Sequence, residues 1–225
     1  MPIKPEFIFM LTKNDMTVPD ALERVVEIAD LPGLSIIGFK DIGLPIEDLG
    51  KVVSAIRDSD RVVAMEVVSL NENDELRSAR AAVTLKVDML LGGTRAEQVS
   101  DIIRDKGIKY FPFPGEVIGH PSVLAGTLDE IVGSACRLAS LPGVHGLDLL
   151  AYRWSDGDPA ALTRAVVDAA GVPVVAAGDI NCAERVRDVA EAGVYGFTVG
   201  SAAFDGKFAA NGGLAAQLQA ILDIV

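Results

Sequence analysis

The chain alternates between two hydrophobic patterns. Short, nearly continuous apolar runs read as strands covered on both faces. They are FIFMLT (7–12), LSIIGFK (34–40), RVVAMEVVS (61–69), VDMLLGG (87–93), IKYFPFP (108–114), GLDLLAYRW (146–154), PVVAAGDI (173–180) and YGFTVGS (195–201). Between them lie segments with apolar residues at helical spacing: DALERVVEIAD, IEDLGKVVSAIR, NDELRSARAAVTL, AEQVSDIIRDKG, LDEIVGSACRLAS, PAALTRAVVDAAG, AERVRDVAEAG and a last one, GGLAAQLQAILDIV. Alternating elements predict a parallel sheet with right-handed crossovers. Eight such units in 225 residues predict one (β/α)8 TIM barrel domain spanning 1–225. A doubly wound open sheet competes, but the units leave no material for a second domain. No linker or low-complexity stretch interrupts them. VDMLLGGTRAE and YGFTVGSAAFD echo one another and suggest half-barrel symmetry.

In such a barrel the chemistry collects at the C-terminal ends of the strands. There the sequence offers Thr12, Lys13, Asn14 and Asp15; Lys40 and Asp41; Glu66 and Ser69; Gly92 to Arg95; Glu116 and His120; Asp148, Tyr152 and Arg153; Gly178 and Asp179; and Gly200 and Ser201. Alternation along strand 2 puts Ile36, Gly38 and Lys40 on one side and Ile37 and Phe39 on the other. Phe39 suits the helix layer and Gly38 the narrow interior, so Lys40 points inward. Ala64 and Glu66 do the same on strand 3, which predicts a Lys40–Glu66 contact. The catalytic candidates are Lys40, Glu66 and His120. Asp148, Tyr152, Arg153 and Asp41 are candidates for holding the substrate. A structural ion pair at the barrel top is the alternative for Lys40 and Glu66, and a loop-capping role is the alternative for His120 and Glu116.

The loops after strands 7 and 8, AAGDIN and VGSAAF, bring glycines to helix starts. Glycine lets backbone approach a ligand, and helix starts favour anions. Barrel phosphate sites often form from these two loops. Gly178, Asp179, Gly200 and Ser201, with Ala202 nearby, are the phosphate candidates; tight turns alone are the alternative.

The stretch GVPVVAAGDINCAERVRDVAEAGVYGFTVGSAAF (171–204) resembles the C-terminal quarter of the ribulose-phosphate-binding barrels. That superfamily includes tryptophan and histidine biosynthesis barrels, sugar-phosphate epimerases and decarboxylases. The nearest pattern is that of the N-acetylmannosamine-phosphate epimerases, and LSIIGFK is similar to the strand that carries their catalytic lysine. The resemblance implies a catalytic Lys40 and a bound phosphate. The epimerases' acid on strand 7 falls on Ala177 here, and the DxKxxD signature of the decarboxylases is absent from strand 3. The resemblance therefore speaks for superfamily and phosphate more than for reaction.

Composition narrows the partners. Net charge is −12, which argues against nucleic acid and anionic membrane surfaces but not against a small anion at a local positive site. No apolar run is long enough to span a bilayer, and the N-terminus lacks a signal-peptide layout, so a cytoplasmic protein is expected. Cys136 and Cys182 read as small buried hydrophobes. His145 falls at the bottom of the barrel and reads as structural. One top-face histidine with carboxylates on separate strands is thin for a metal, so none is expected. No dinucleotide fingerprint occurs, and no organic cofactor is expected. Small barrels often pair, which makes a homodimer the expectation.

Three functions compete. One is an isomerase or epimerase on a small phosphorylated ketose or sugar acid, with Lys40 moving a proton α to a carbonyl if burial lowers its pKa. In that case Arg153 would help and Glu66 oppose. Another is an aldolase-type lyase with a Schiff base at Lys40. The third is a non-catalytic sugar-phosphate-binding protein.

Overall fold

The computed structural model describes residues 4–225; residues 1–3, part of the expected domain, lie outside the described residues. Eight parallel strands form one sheet: β1 (Glu6–Met10), β2 (Ile36–Lys40), β3 (Val62–Val67), β4 (Met89–Gly92), β5 (Lys109–Phe111), β6 (Leu147–Leu149), β7 (Val174–Ala176) and β8 (Gly196–Val199). Their order is β6-β7-β8-β1-β2-β3-β4-β5. The two ends of that order meet through two bonds, His145 N to Tyr110 O at 2.8 Å and Asp148 N to Pro112 O at 3.0 Å. The sheet is thus a nearly closed TIM barrel.

The helices are α1 (Ala21–Glu27), α2 (Ile46–Asp58), α3 (Glu72–Leu85), α4 (Ala96–Ile103), α5 (Leu128–Ala139), α6 (Pro159–Ala170), α7 (Ala183–Glu191), α8 (Ser201–Phe204) and α9 (Leu214–Leu222). Local chemistry sets several starts. Thr127 and Glu130 form a capping box on α5. Asp158 caps α6 with Pro159 in its first turn, and Gly171 ends it at φ 66. The short α8 is an addition to the eight helices expected.

Strand alternation divides the core into two layers. Ile8, Met10, Ile36, Ala64, Met89, Leu91, Phe111 and Val175 fill the barrel interior. Phe9, Ile37, Phe39, Met65, Leu90 and Tyr110 face the helices. At Gly38 a Cβ would sit 2.5 Å from Met10 Sδ and 3.3 Å from Ala64 Cβ, so the packed interior requires glycine there. Lys40 and Glu66 are direct register partners on β2 and β3, both on the interior side.

Three differences from the sequence reading matter. Strand 6 stops at Leu149, and Ala151–Arg153 form a 3-10 turn. Two hairpins rise from the top face, Thr12–Lys13 with Met16–Thr17 and Glu116–Ile118 with Val123–Ala125. Cys136 is exposed and Cys182 half-buried, so neither is the buried hydrophobe expected. No helix among the described residues is long and apolar enough to cross a membrane.

Candidate active site

The centre of the site is a residue the sequence reading did not single out. Thr12 pairs with Thr17 and Lys13 with Met16, which leaves Asn14 and Asp15 as a two-residue turn with φ 51 and 64. Positive φ at both positions is the hairpin turn that Asn and Asp tolerate best after glycine. Thr17 Oγ1 donates to Lys40 O at 2.8 Å and accepts from Lys40 N at 2.9 Å, stitching the hairpin to the end of β2. The turn swings Asp15 over the barrel mouth and buries it.

Four groups converge on Asp15. Its Oδ1 accepts from Lys40 Nζ at 2.5 Å and from Arg153 Nη2 at 2.8 Å. Its Oδ2 accepts from Ser122 N at 3.4 Å and faces His120 Nδ1 at 3.6 Å. Lys40 Nζ also lies 3.3 Å from Glu66 Oε2, the contact that strand alternation predicts. Arg153 further donates to Ser122 O at 3.0 Å, which ties the second hairpin to the mouth.

Burial and charge compete at these groups. Burial lowers the Lys40 pKa, but the carboxylates of Glu66 and Asp15 outweigh it and the net shift is upward. Burial raises the Asp15 pKa, but the Arg153 hydrogen bond and the Lys40 charge hold it well below the usual carboxylate range. Lys40 is therefore an ammonium and Asp15 a carboxylate. This corrects the expectation of a lysine base freed by burial: Arg153 does push the Lys40 pKa down, but two carboxylates push it up harder.

A cavity of about 90 Å³ opens beside this cluster, lined by Thr12, Asp15, Lys40, Glu66, Arg153 and Thr198 together with Gly178, Asp179, Gly200, Ser201 and Ala202. The two glycine loops and the charged cluster therefore share one cleft. A Cβ at Gly178, where φ is 80, would sit 2.8 Å from Arg153 Cγ. One at Gly200 would strike Thr12 Oγ1 and lie 3.0 Å from Thr12 O. Both glycines are needed for close approach. Asp179 is turned toward Arg185 Nη1 at 2.8 Å and Asn181 Nδ2 at 3.0 Å.

Several expected residues lie elsewhere. Asp41 accepts from Val68 N, Ser69 Oγ and Ser78 Oγ at 3.1, 2.9 and 2.7 Å; it anchors the end of β2 to the α3 side and does not line the cleft. Tyr152 turns away in the 3-10 turn, donates to Asp188 Oδ2 at 3.3 Å and stacks under Arg185 at 4.8 Å. Asp148 sits in the barrel interior and does not line the cleft either. It is fully buried, and neither carboxylate oxygen has a hydrogen-bond partner among the described residues. Burial and the Glu66 charge push its pKa well above the usual range, so it is a neutral acid inside the barrel. His145 Nδ1 accepts from Tyr110 N at 3.2 Å, a structural contact. Among the described residues no group of three or more His, Cys, Asp and Glu is arranged to hold a metal ion.

No protein-family model matches the chain. A relative from Halobacterium salinarum is 29% identical over 154 residues, 63% of this chain and 63% of its own length. Another, from Syntrophotalea carbinolica, is 25% identical over 212 residues, 83% of this chain and 86% of its own. Both carry the name 1-(5-phosphoribosyl)-5-((5-phosphoribosylamino)methylideneamino)imidazole-4-carboxamide isomerase. The chain thus spans less than two thirds of the Halobacterium relative. Among solved structures, a tryptophan synthase α-subunit from Pyrococcus furiosus aligns at TM-score 0.68 and 14% identity, covering 99% of this chain and 100% of that one. N-acetylmannosamine-6-phosphate 2-epimerase from Clostridium perfringens aligns at TM-score 0.64 and 15% identity, covering 89% and 88%. The chain shares the TIM-barrel fold of these solved structures.

Proposed function

We propose that this protein is an isomerase or epimerase of a small phosphorylated ketose or sugar acid, working by proton transfer next to a carbonyl. The observation that carries the reading is the Lys40 ammonium held between two carboxylates, Asp15 and Glu66, in the cleft that both glycine loops line.

The loops after β7 and β8 hold the phosphate, with Gly178, Gly200, Ser201 and Ala202 around it. Barrels commonly bind phosphate there, and glycine backbone admits the oxygens closely. Anchored at that end, the substrate places its carbonyl oxygen toward Lys40 Nζ. Glu66 takes the proton from the neighbouring carbon. Electrons move into the C–O bond, and Lys40 gives a proton to the developing oxyanion. The enediol that results is reprotonated at either carbon or on either face, and Lys40 recovers its proton. Asp15, held ionised by Arg153 and Lys40, is a poor proton acceptor and serves to fix both cations. His120 sits on the exposed rim of the same cluster.

Lysine protonation favours this over the Schiff-base alternative. A Schiff base begins with attack by a neutral amine, and the two carboxylates keep Lys40 charged. Solvent-deuterium incorporation into ketose phosphates tests the reading: exchange without fragmentation supports it, and carbon–carbon cleavage overturns it.

A further inference from the structure

The loops after β4 and β8 are alike in sequence and stand four strands apart in the barrel order. VDMLLGGTRAE (87–97) aligns in sequence with YGFTVGSAAFD (195–205), Gly92 matching Gly200 and Thr94 matching Ala202. They differ in what their donors face. After β4, Thr94 N and Arg95 N donate to Glu75 Oε1 at 2.7 and 2.8 Å. Thr94 Oγ1 and Arg95 Nη1 donate to Glu75 Oε2 at 3.1 and 2.6 Å. Glu75 reaches in from α3 and its side chain is wholly buried. Two backbone N–H groups, a hydroxyl and a guanidinium are a set that receives an oxyanion, and here the chain's own carboxylate fills it. A Cβ at Gly93 would sit 2.8 Å from Glu75 Oε1, so glycine there makes room for the carboxylate. Ala202, by contrast, lines the open cleft, and no residue of the loop after β4 does.

We infer that Glu75 makes this a single-phosphate barrel. The substrate carries one phosphate, held by the loops after β7 and β8, and the opposite wall receives no second one. The inference rests on the phosphate reading above and narrows it. The substrate in the name of the two relatives contains two phosphoribosyl groups, and this chain's substrate class differs from it in that respect. The cleft draws its lining from the ends of β1, β2 and β3 and from the segments after β6, β7 and β8, and takes nothing from β4 or β5.

The test compares ribulose 5-phosphate with ribulose 1,5-bisphosphate by calorimetry and phosphorus NMR, on the full chain and on Arg95→Ala and Ser201→Asp. The expected result is equal affinity within about threefold, with one phosphorus resonance of the bisphosphate shifted and the other at its free position. Arg95→Ala should leave both affinities unchanged. A bisphosphate bound about tenfold tighter, or two shifted resonances, overturns the inference while leaving the phosphate site standing. If neither compound binds, or Ser201→Asp leaves ribulose 5-phosphate affinity unchanged, the phosphate reading itself falls and the inference with it.

Discussion

Lys40 Nζ lies 2.5 Å from Asp15 Oδ1, although 25 residues separate them in sequence and each belongs to a different top-face element. The pair is buried on both sides, and Arg153 and Glu66 extend it into a four-member cluster. Removing one member of a buried ion network leaves its partners uncompensated, at a cost of about 3–5 kcal/mol. Lys40→Met should lose stability by that order in a urea titration and abolish turnover. An active, fully stable Lys40→Met protein contradicts the role given to Lys40.

Asp15 makes a pH prediction of one sign. Its folded pKa lies below the ordinary value, so its contribution is present above the unfolded carboxylate range near ~4 and is lost as pH falls from there through the folded pKa. Stability from this group should fall by about 1.4 kcal/mol per pH unit in that window. Asp15→Asn should be weaker at neutral pH and show a shallower acid slope. Denaturation midpoints between about pH 5 and pH 2 measure it.

Asp148 makes the opposite prediction. Its folded pKa lies above the ordinary value, so folding favours its proton. Stability is highest below about pH 4 for this group and falls by about 1.4 kcal/mol per unit as pH rises toward the folded pKa. Asp148→Asn should remove that slope. An unchanged pH profile between about pH 4 and pH 7 contradicts a neutral Asp148.

Tyr152 is a control. It faces α7 rather than the cleft, and a hydroxyl hydrogen bond to a carboxylate is worth about 3 kcal/mol at most. Tyr152→Phe should keep kcat and KM and lose no more stability than that. A large rise in KM would return Tyr152 to the substrate.

The sequence made the scaffold and half of the site legible. Period-two alternation along LSIIGFK and RVVAMEVVS was enough to put Lys40 and Glu66 side by side, because adjacent parallel strands fix inward positions in register. The glycine loops were legible because their place in the fold follows from counting units. The residues misplaced lie where the chain leaves the strands. GLDLLAYRW reads as one apolar run, but the strand ends at Leu149 and the following 3-10 turn sends Tyr152 and Arg153 in different directions. Asp41 lies one residue past Lys40, so alternation takes it away from the interior, and three donors from the next crossover capture it. Asp15 was in view as a strand-end residue, but only the Asn-Asp pair between TK and MT signals a two-residue turn that folds it back. The hairpin carrying His120 and Ser122 has no periodic signal, since glycine and proline punctuate it.

Deuterium exchange in the Glu66→Gln variant is the most direct check on the proton-transfer account. Wild-type protein and Glu66→Gln are incubated with tetrose, pentose and hexose ketose phosphates in D₂O and followed by proton NMR. The account predicts deuterium at the carbon next to the carbonyl with wild-type protein, without fragments, and a loss of about 10²–10⁴-fold in the variant with phosphate-ligand affinity retained. Shorter carbon fragments, or exchange at the wild-type rate in Glu66→Gln, would contradict it.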